Sequence, residues 1–499
     1  MKQKFLAILL CVVFSSGAMW AQLGYKHSIV PAVAPDSVDL EYYGKKKFWQ
    51  GAATVVGLNL GVWAFDRYVI DGEFAHISMN SIEENFKHGF IWDNDFLGTN
   101  MFYHPYHGNL YFNAGRSNGY NYWQSGLFAF GGSAMWELFM ECEYPSTNDI
   151  IATPIGGMAI GEVFYRASDL ILDDCATGGE RWAREIGAFV VSPMRGITRV
   201  INGDAWRKRS TSGRQFGIPN MKMAVSFGAR NIKYKGDVFD KGVGLTGQVD
   251  IEYGDRFSMD NGKPYDFFTL RGGISLMEDQ PILGQLNIKG RLLNSGLVER
   301  ENTTLNIGMY QHYDFYDSDT ISEETNRVPY KFATPASVGC GLQFQQLNVG
   351  NWDFSAEAHA NGILMGGVLS DYYQLKNRNY NVASGFGTKV NINALFKRNK
   401  FSARLSHEFY RMFTWKGFDP AVDLTTLGEE EIKTLNAQGA ESQASMHISE
   451  LRLDYRIAKR WFLTGSLQHF WRDSNYDFKG YKDVQSKSTS AYLMATYVL

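Results

Sequence analysis

Cysteine is scarce in this chain: four in 499 residues, one of them, Cys11, inside an apolar leader. The remaining three, Cys142, Cys175 and Cys340, are odd in number and far apart, which excludes a disulfide framework and zinc-ligand spacing. One Cys142–Cys175 bridge is compatible with the count. A basic excess is also missing. The 49 Lys and Arg against 52 Asp and Glu leave a net charge of −3, which excludes a nucleic-acid binder with its basic stripe. His-Glu-x-x-His does not occur, and "DNDFLG" (93–98) lacks the later acid of a calcium loop. No metal or cofactor is expected.

Long apolar runs are few. "FWQGAATVVGLNLGVWAF" (48–65) carries no charge, the lower limit of length for a membrane-spanning helix, but Gln50, Thr54, Asn59 and small residues dilute it. The other apolar segments carry Glu137, Glu162 or Arg166. A packed helical bundle is expected from them, not a set of spans.

Aromatics and glycine are plentiful. Aromatic residues make up 15% of the chain and glycines number 51, yet the mean hydropathy is negative. The first 21 residues have the basic start, apolar centre and small-residue end of a secretory signal, with cleavage after Ala18 or Ala21. An exported chain rich in Tyr, Phe, Trp and Gly but only moderately apolar suits an outer-membrane barrel, in which aromatics girdle the interfaces and alternate positions are polar.

From residue 221 onward the period is 2. "QLNIKGRLL" sets Leu286, Ile288 and Leu292 against Asn287, Lys289 and Arg291. "TKVNINALF" sets Val390 and Ile392 against Lys389, Asn391 and Asn393. "LRLDYRI" sets Leu451, Leu453, Tyr455 and Ile457 against Arg452, Asp454 and Arg456. About twelve such segments start near 221, 243, 265, 282, 303, 336, 352, 385, 400, 446, 460 and 488. The chain ends in "AYLMATYVL", where Tyr497 and Leu499 share a face. That ending is similar to the signal read by barrel assembly machinery, with Leu in place of the usual Phe. The fold class expected is a membrane all-β barrel of about twelve antiparallel strands, preceded by an α-helical domain. A large soluble β-sandwich is the alternative that alternation alone permits.

Residues 45–205 have helical spacing instead, over 48–65, 122–140, 150–172 and 179–201. Residues 22–44 and 206–220 read as linkers around that domain, and 221–499 as the barrel. Gly57/Gly61 and Gly157/Gly161 are small-xxx-small pairs that let helices approach closely. Glu162, Arg166, Asp169 and Asp173 follow at i+4, i+3 and i+4, so they share one helix face. They are either an ion-paired stripe or a polar seam docking against a barrel lumen of mixed charge.

"HPYHGNLYFNAGRSNGYNYW" (104–123) holds the catalytic candidates His104, His107 and Ser117, with Glu137 further on. Gly115-Arg116-Ser117-Asn118-Gly119 fits the G-x-S-x-G outline, after a strand-like "LYFNA" and before an apolar helix. Against it, a hydrolase of that order needs a later histidine, and the next is His312 in the barrel. No βα alternation supplies a parallel sheet either. Pro105 also disfavours helical angles at His104, so the histidines do not read as a helical pair. The stretch then reads as a polar, aromatic joint, its amides satisfying turns and Tyr106, Tyr111, Tyr120 and Tyr122 suiting a membrane boundary.

The motifs HPYHGNLYFNAGRSNG and PSTNDIIATPIGG, with "GEVFYRASDLILDD" and "GERWARE", resemble an uncharacterised bacterial exported family, a domain of unknown function in outer-membrane proteins. The resemblance covers roughly residues 80–205. It implies location and architecture but no catalytic residue. Two functions stay open. One is a barrel passing or presenting a small polar or lipidic solute, with the helical domain plugging it or standing in the periplasm. The other is an outer-membrane hydrolase of lipid or glycan. The partners expected are outer-membrane lipid and the assembly machinery, with no nucleic acid.

Overall fold

The computed structural model describes residues 34–234, 237–277, 280–318, 328–397, 399–477 and 480–499. The expected signal segment lies outside them. The chain divides into two compact units. The first runs through Pro219 and includes Thr425–Ala437; the second comprises Asn220–Leu424 and Gln438–Leu499.

The first unit is helical: α1 Ser37–Tyr43, α2 Phe48–Phe65, α3 Met79–His88, α4 His104–Ser117, α5 Tyr122–Phe139, α6 Asp149–Ile171, α7 Gly178–Val191, α8 Pro193–Asn202 and α9 Glu429–Thr434. Local signals explain several boundaries. Asn121 and Gln124 cap α5 reciprocally, as Ser78 and Ser81 do α3. The single helix expected over 179–201 is two, because Pro193 has no N–H to donate and holds Ser192 at φ −136°, ψ 84°. Gly203, at φ 74°, ends α8.

The 104–117 stretch is neither strand nor turn. It is α4, and Gly108, Asn109, Tyr111, Phe112, Asn113 and Arg116 are among its buried residues. A π turn over Thr99–Tyr103 precedes it, and its wider winding accommodates the Pro105 ring, so His104 keeps helical angles (φ −63°, ψ −48°). The amides serve this helix from within. Asn109 donates to Tyr106 O, Asn113 to Asn109 Oδ1 and Asn118 to Ala114 O, each at 2.8 Å. Tyr111 and Tyr122 are buried, not at a boundary. At the α4–α6 crossing a Cβ on Gly157 would stand 2.4 Å from the Gly108 carbonyl carbon. Gly57 and Gly61 face open space instead.

The second unit is a closed antiparallel barrel in the order β1-β12-β11-β10-β9-β8-β7-β6-β5-β4-β3-β2. Its strands are β1 Met221–Tyr234, β2 Asp237–Tyr253, β3 Phe268–Leu276, β4 Leu283–Arg300, β5 Thr303–Asp317, β6 Lys331–Val349, β7 Trp352–Leu369, β8 Tyr380–Phe396, β9 Phe401–Thr414, β10 Ser442–Arg456, β11 Trp461–Tyr476 and β12 Val484–Val498. Pairing of Ala224 with Val498 through Tyr234 with Ser488 closes the ring, which leaves no edge with unpaired backbone groups.

Alternation sets the faces. Leu451, Leu453, Tyr455 and Ile457 are exposed on the outside, while Arg452 is buried inside. Val390 and Ile392 are likewise exposed. A register shift between Arg291 and Leu293 alters the expected face of β4: Leu292 is buried and Leu293 exposed. Tyr497 lies against the Trp461 ring, centroids 5.0 Å apart, and Leu499 N–H donates to Met223 O. Cys142 and Cys175 are free thiols, so the bridge compatible with the count is not formed.

Candidate functional site

The polar residues of the helical unit gather at two places along α4. At its start, His104 Nε2 stands 3.7 Å from Asp149 Oδ2 at the first residue of α6. Asp93 accepts from Asn100 and Asn148 at 2.7 Å each and shares a hydrogen bond with Asp149. Glu137 on α5 accepts the Ser146 N–H at 2.7 Å, and the Ser146 hydroxyl in turn accepts the Asp149 N–H. His107 packs its ring against Tyr111 and Trp136.

Burial dominates the electrostatics here. It pushes Glu137 up to about 8, and the nearby charges of Asp93 and Asp95 add to the rise. Asp149 is held well above the ordinary range by burial and then by Asp93 and Glu137. Burial lowers His104, and it lowers His107 to about 3 with help from His104. Near neutral pH, Glu137 therefore holds its proton while both imidazoles are neutral, and burial shifts Asp149 in the same direction as Glu137. Such a cluster is able to relay a proton, but it presents no activated nucleophile.

Ser117 lies at the other end of α4. Ten residues at 1.5 Å rise separate it from His107, roughly 15 Å. The structure thus brings His104, His107 and Glu137 into one neighbourhood and leaves Ser117 out of it. Ser117 and Thr198 line a recess of about 10 Å³, the size of one water, with Tyr43, Tyr165, Arg195 and Arg199, and neither hydroxyl has a hydrogen-bond partner.

Around that recess runs the second cluster, an ion-pair network that absorbs most of the expected seam. Glu162 is fully buried between two arginines. Arg116 Nε donates to it at 2.7 Å and Arg166 Nε at 2.9 Å. Asp169 pairs with Arg195 at 2.5 Å and accepts the Gln215 and Phe216 N–H groups. Asp173 instead receives the Cys175 N–H in a local turn. Glu162 and Asp169 thus meet arginines of their own unit. Sequence reasoning missed Arg116, Arg195 and Arg199, and the last of these binds both Glu185 (2.8 Å) and Asp174 (2.6 Å). The available signal was an Arg pair four apart, 195 and 199, on one face of α8. Among the described residues no three His, Cys, Asp or Glu side chains are grouped to hold a metal ion.

The barrel interior is crossed by its own side chains. Toward the short turns at 301–302, 350–351 and 457–460, charges bridge strands that are not neighbours. Arg271 on β3 reaches Glu450 on β10 at 2.5 Å, and Arg452 on β10 reaches Asp250 on β2 at 3.0 Å. Lys389 on β8 holds Asp314 on β5 at 2.6 Å, and Lys289 on β4 pairs with Glu357 on β7. Toward the other end, buried Arg230, Lys331 and Arg472 accompany a cluster of aromatic and aliphatic side chains. Tyr316, Tyr330, Phe332, Tyr410, Met412, Met446 and Phe470 form one buried cluster. Tyr330 stacks on Phe470 with centroids 3.7 Å apart.

Residues 89–194 match the family model described as a domain of unknown function, DUF3943. That description assigns no chemistry to either cluster. A sequence comparison with curated proteins finds no match. Among solved structures the chain is similar to the NanC porin (9% identity, TM-score 0.26, 55% of this chain and 98% of that one). It is similar also to the KdgM porin (8%, 0.23, 55% and 98%) and to the outer membrane channel DcaP of Acinetobacter baumannii (10%, 0.23, 56% and 96%).

Proposed function

We propose that the protein is a sealed barrel standing in the outer membrane, which anchors its helical unit there to bind and present a lipidic solute. The observation that carries this reading is the bridging of the barrel interior by its own side chains. Arg271 and Glu450 join strands five places apart around the ring, and Tyr330 stacks across the interior on Phe470 of β11. Wide aqueous channels in this architecture keep polar side chains on the wall and water between them. Here the opposite charges consume one another, and a helical plug is not required to stop flow.

The hydrolase reading has less behind it, since Ser117 has no histidine in reach. The terminal strand, with Tyr497 and Leu499, remains the segment we assign to recognition by the assembly machinery. The test is conductance in a planar bilayer. The full chain is expected to give no steady steps, and the double variant Y330A/F470A to give resolved ones. Steady steps from the unmodified chain would overturn the reading.

A further inference from the structure

We infer that the face formed by α2 and α5 is a lipid-binding surface, seated along an anionic lipid layer. α2 packs on α5 through Asn59, whose amide donates to Gly132 O, and through the Phe48–Phe128 ring contact. Each helix buries one side and leaves an apolar stripe in the open. Trp49, Val56 and Leu60 are exposed on α2, and Trp123, Leu127 and Phe130 on α5, with Leu127 at 71%. Gly57 and Gly61 on α2 and Gly131 on α5 have open space where a side chain would stand. Soluble monomers rarely expose contiguous apolar patches on this scale.

The charge pattern selects lipid as the occupant. α2 has no charged residue over its 18 positions, and the one charge on α5, Glu137, is buried. Lys45, Lys46 and Lys47 are exposed immediately before α2, and Arg67 follows its end. An uncharged stripe roughly 27 Å long at 1.5 Å per residue, with Trp49 near its start and three exposed lysines just before it, matches acyl chains bordered at that end by anionic headgroups. A protein partner would meet its polar rim along the sides instead. No helix among the described residues is long and apolar enough to cross a membrane, so the face lies along the layer. The inference rests on the proposed membrane anchoring, because the barrel in the same chain holds this face near lipid.

The test places a spin label at single cysteines in the full chain, its native cysteines replaced by serine, reconstituted in bilayers containing phosphatidylglycerol. Collision with oxygen reports lipid and collision with a water-soluble nickel chelate reports water. L60C and L127C are expected to favour oxygen as strongly as L453C on the barrel's outer face. Their oxygen-to-nickel ratio should exceed that of exposed E83C by about threefold or more, the signature of an interfacially buried helix face. The triple variant K45Q/K46Q/K47Q should lower the ratio at position 60, and no change would overturn the assignment of these lysines to headgroups. Nickel access at 60 and 127 with L453C still in lipid overturns the inference, and shielding from both reagents does so in favour of a protein contact. Nickel access at L453C would overturn the membrane anchoring itself.

Discussion

Glu137 has a backbone N–H donor in Ser146 but, among its electrostatic neighbours, only other carboxylates. Its neutral form is therefore favoured by folding. Between its ordinary value of 4.5 and about 8 the folded chain keeps a proton that the unfolded chain has lost, so stability falls as pH rises through that window and levels off above it. Asp149 and Glu141 act in the same direction. Replacing Glu137 by Gln keeps the acceptor for Ser146 without the titration. The variant should gain on the order of 2–4 kcal/mol in the helical unit at pH 8.5 and nothing near pH 4.5, read by thermal unfolding at 222 nm. An equal effect at both values would contradict the account. At this scale the sequence was partly legible. His104, His107 and Glu137 stood out and do lie together. Ser117 stood out too, but its place at the far end of a helix could not be read while the stretch looked like a turn. Nor could Arg116 be matched to Glu162, because that pair joins two helices across 46 positions.

Among elements, the same small-xxx-small pattern has two outcomes. Gly157 meets the Gly108 backbone, where neither chain is able to yield, whereas Gly57 meets nothing. G157A should destabilise the helical unit by about 2–3 kcal/mol, the usual cost of overpacking. G57A should stabilise it by up to about 1 kcal/mol through helix propensity. Similar losses for both would mean that a helix covers Gly57 as well. The strands were legible for a simple reason. A barrel wall with one apolar face imposes period 2 on every strand, so most predicted starts fall within six residues of the observed ones. α4 was not legible. Its glycines and asparagines are poor helix formers, and tertiary contacts override that propensity: Gly108 admits α6, Gly115 admits α5, and the asparagines bond back along their own helix. The break at Ser192–Pro193, by contrast, was available from the proline.

For the whole molecule, composition and faces pointed to a barrel after a helical domain, and the closed strand order bears that out. The state of the barrel interior was not available from the alternation. Period 2 says which residues point inward but not whether they leave a channel. That depends on which charges meet across the ring, and Arg271 and Glu450 are 179 positions apart in the chain. The inclusion of Thr425–Ala437 in the helical unit was equally hidden. Lys433 pairs there with Glu143 at 3.7 Å, and Asn436 accepts the Trp92 N–H. The central claim is that the barrel is sealed by its own side chains and not by the helical unit. The most direct measurement compares planar-bilayer conductance of the full chain with that of a chain lacking residues 45–205. The account predicts silence from both, and steady conductance appearing only after the deletion would contradict it.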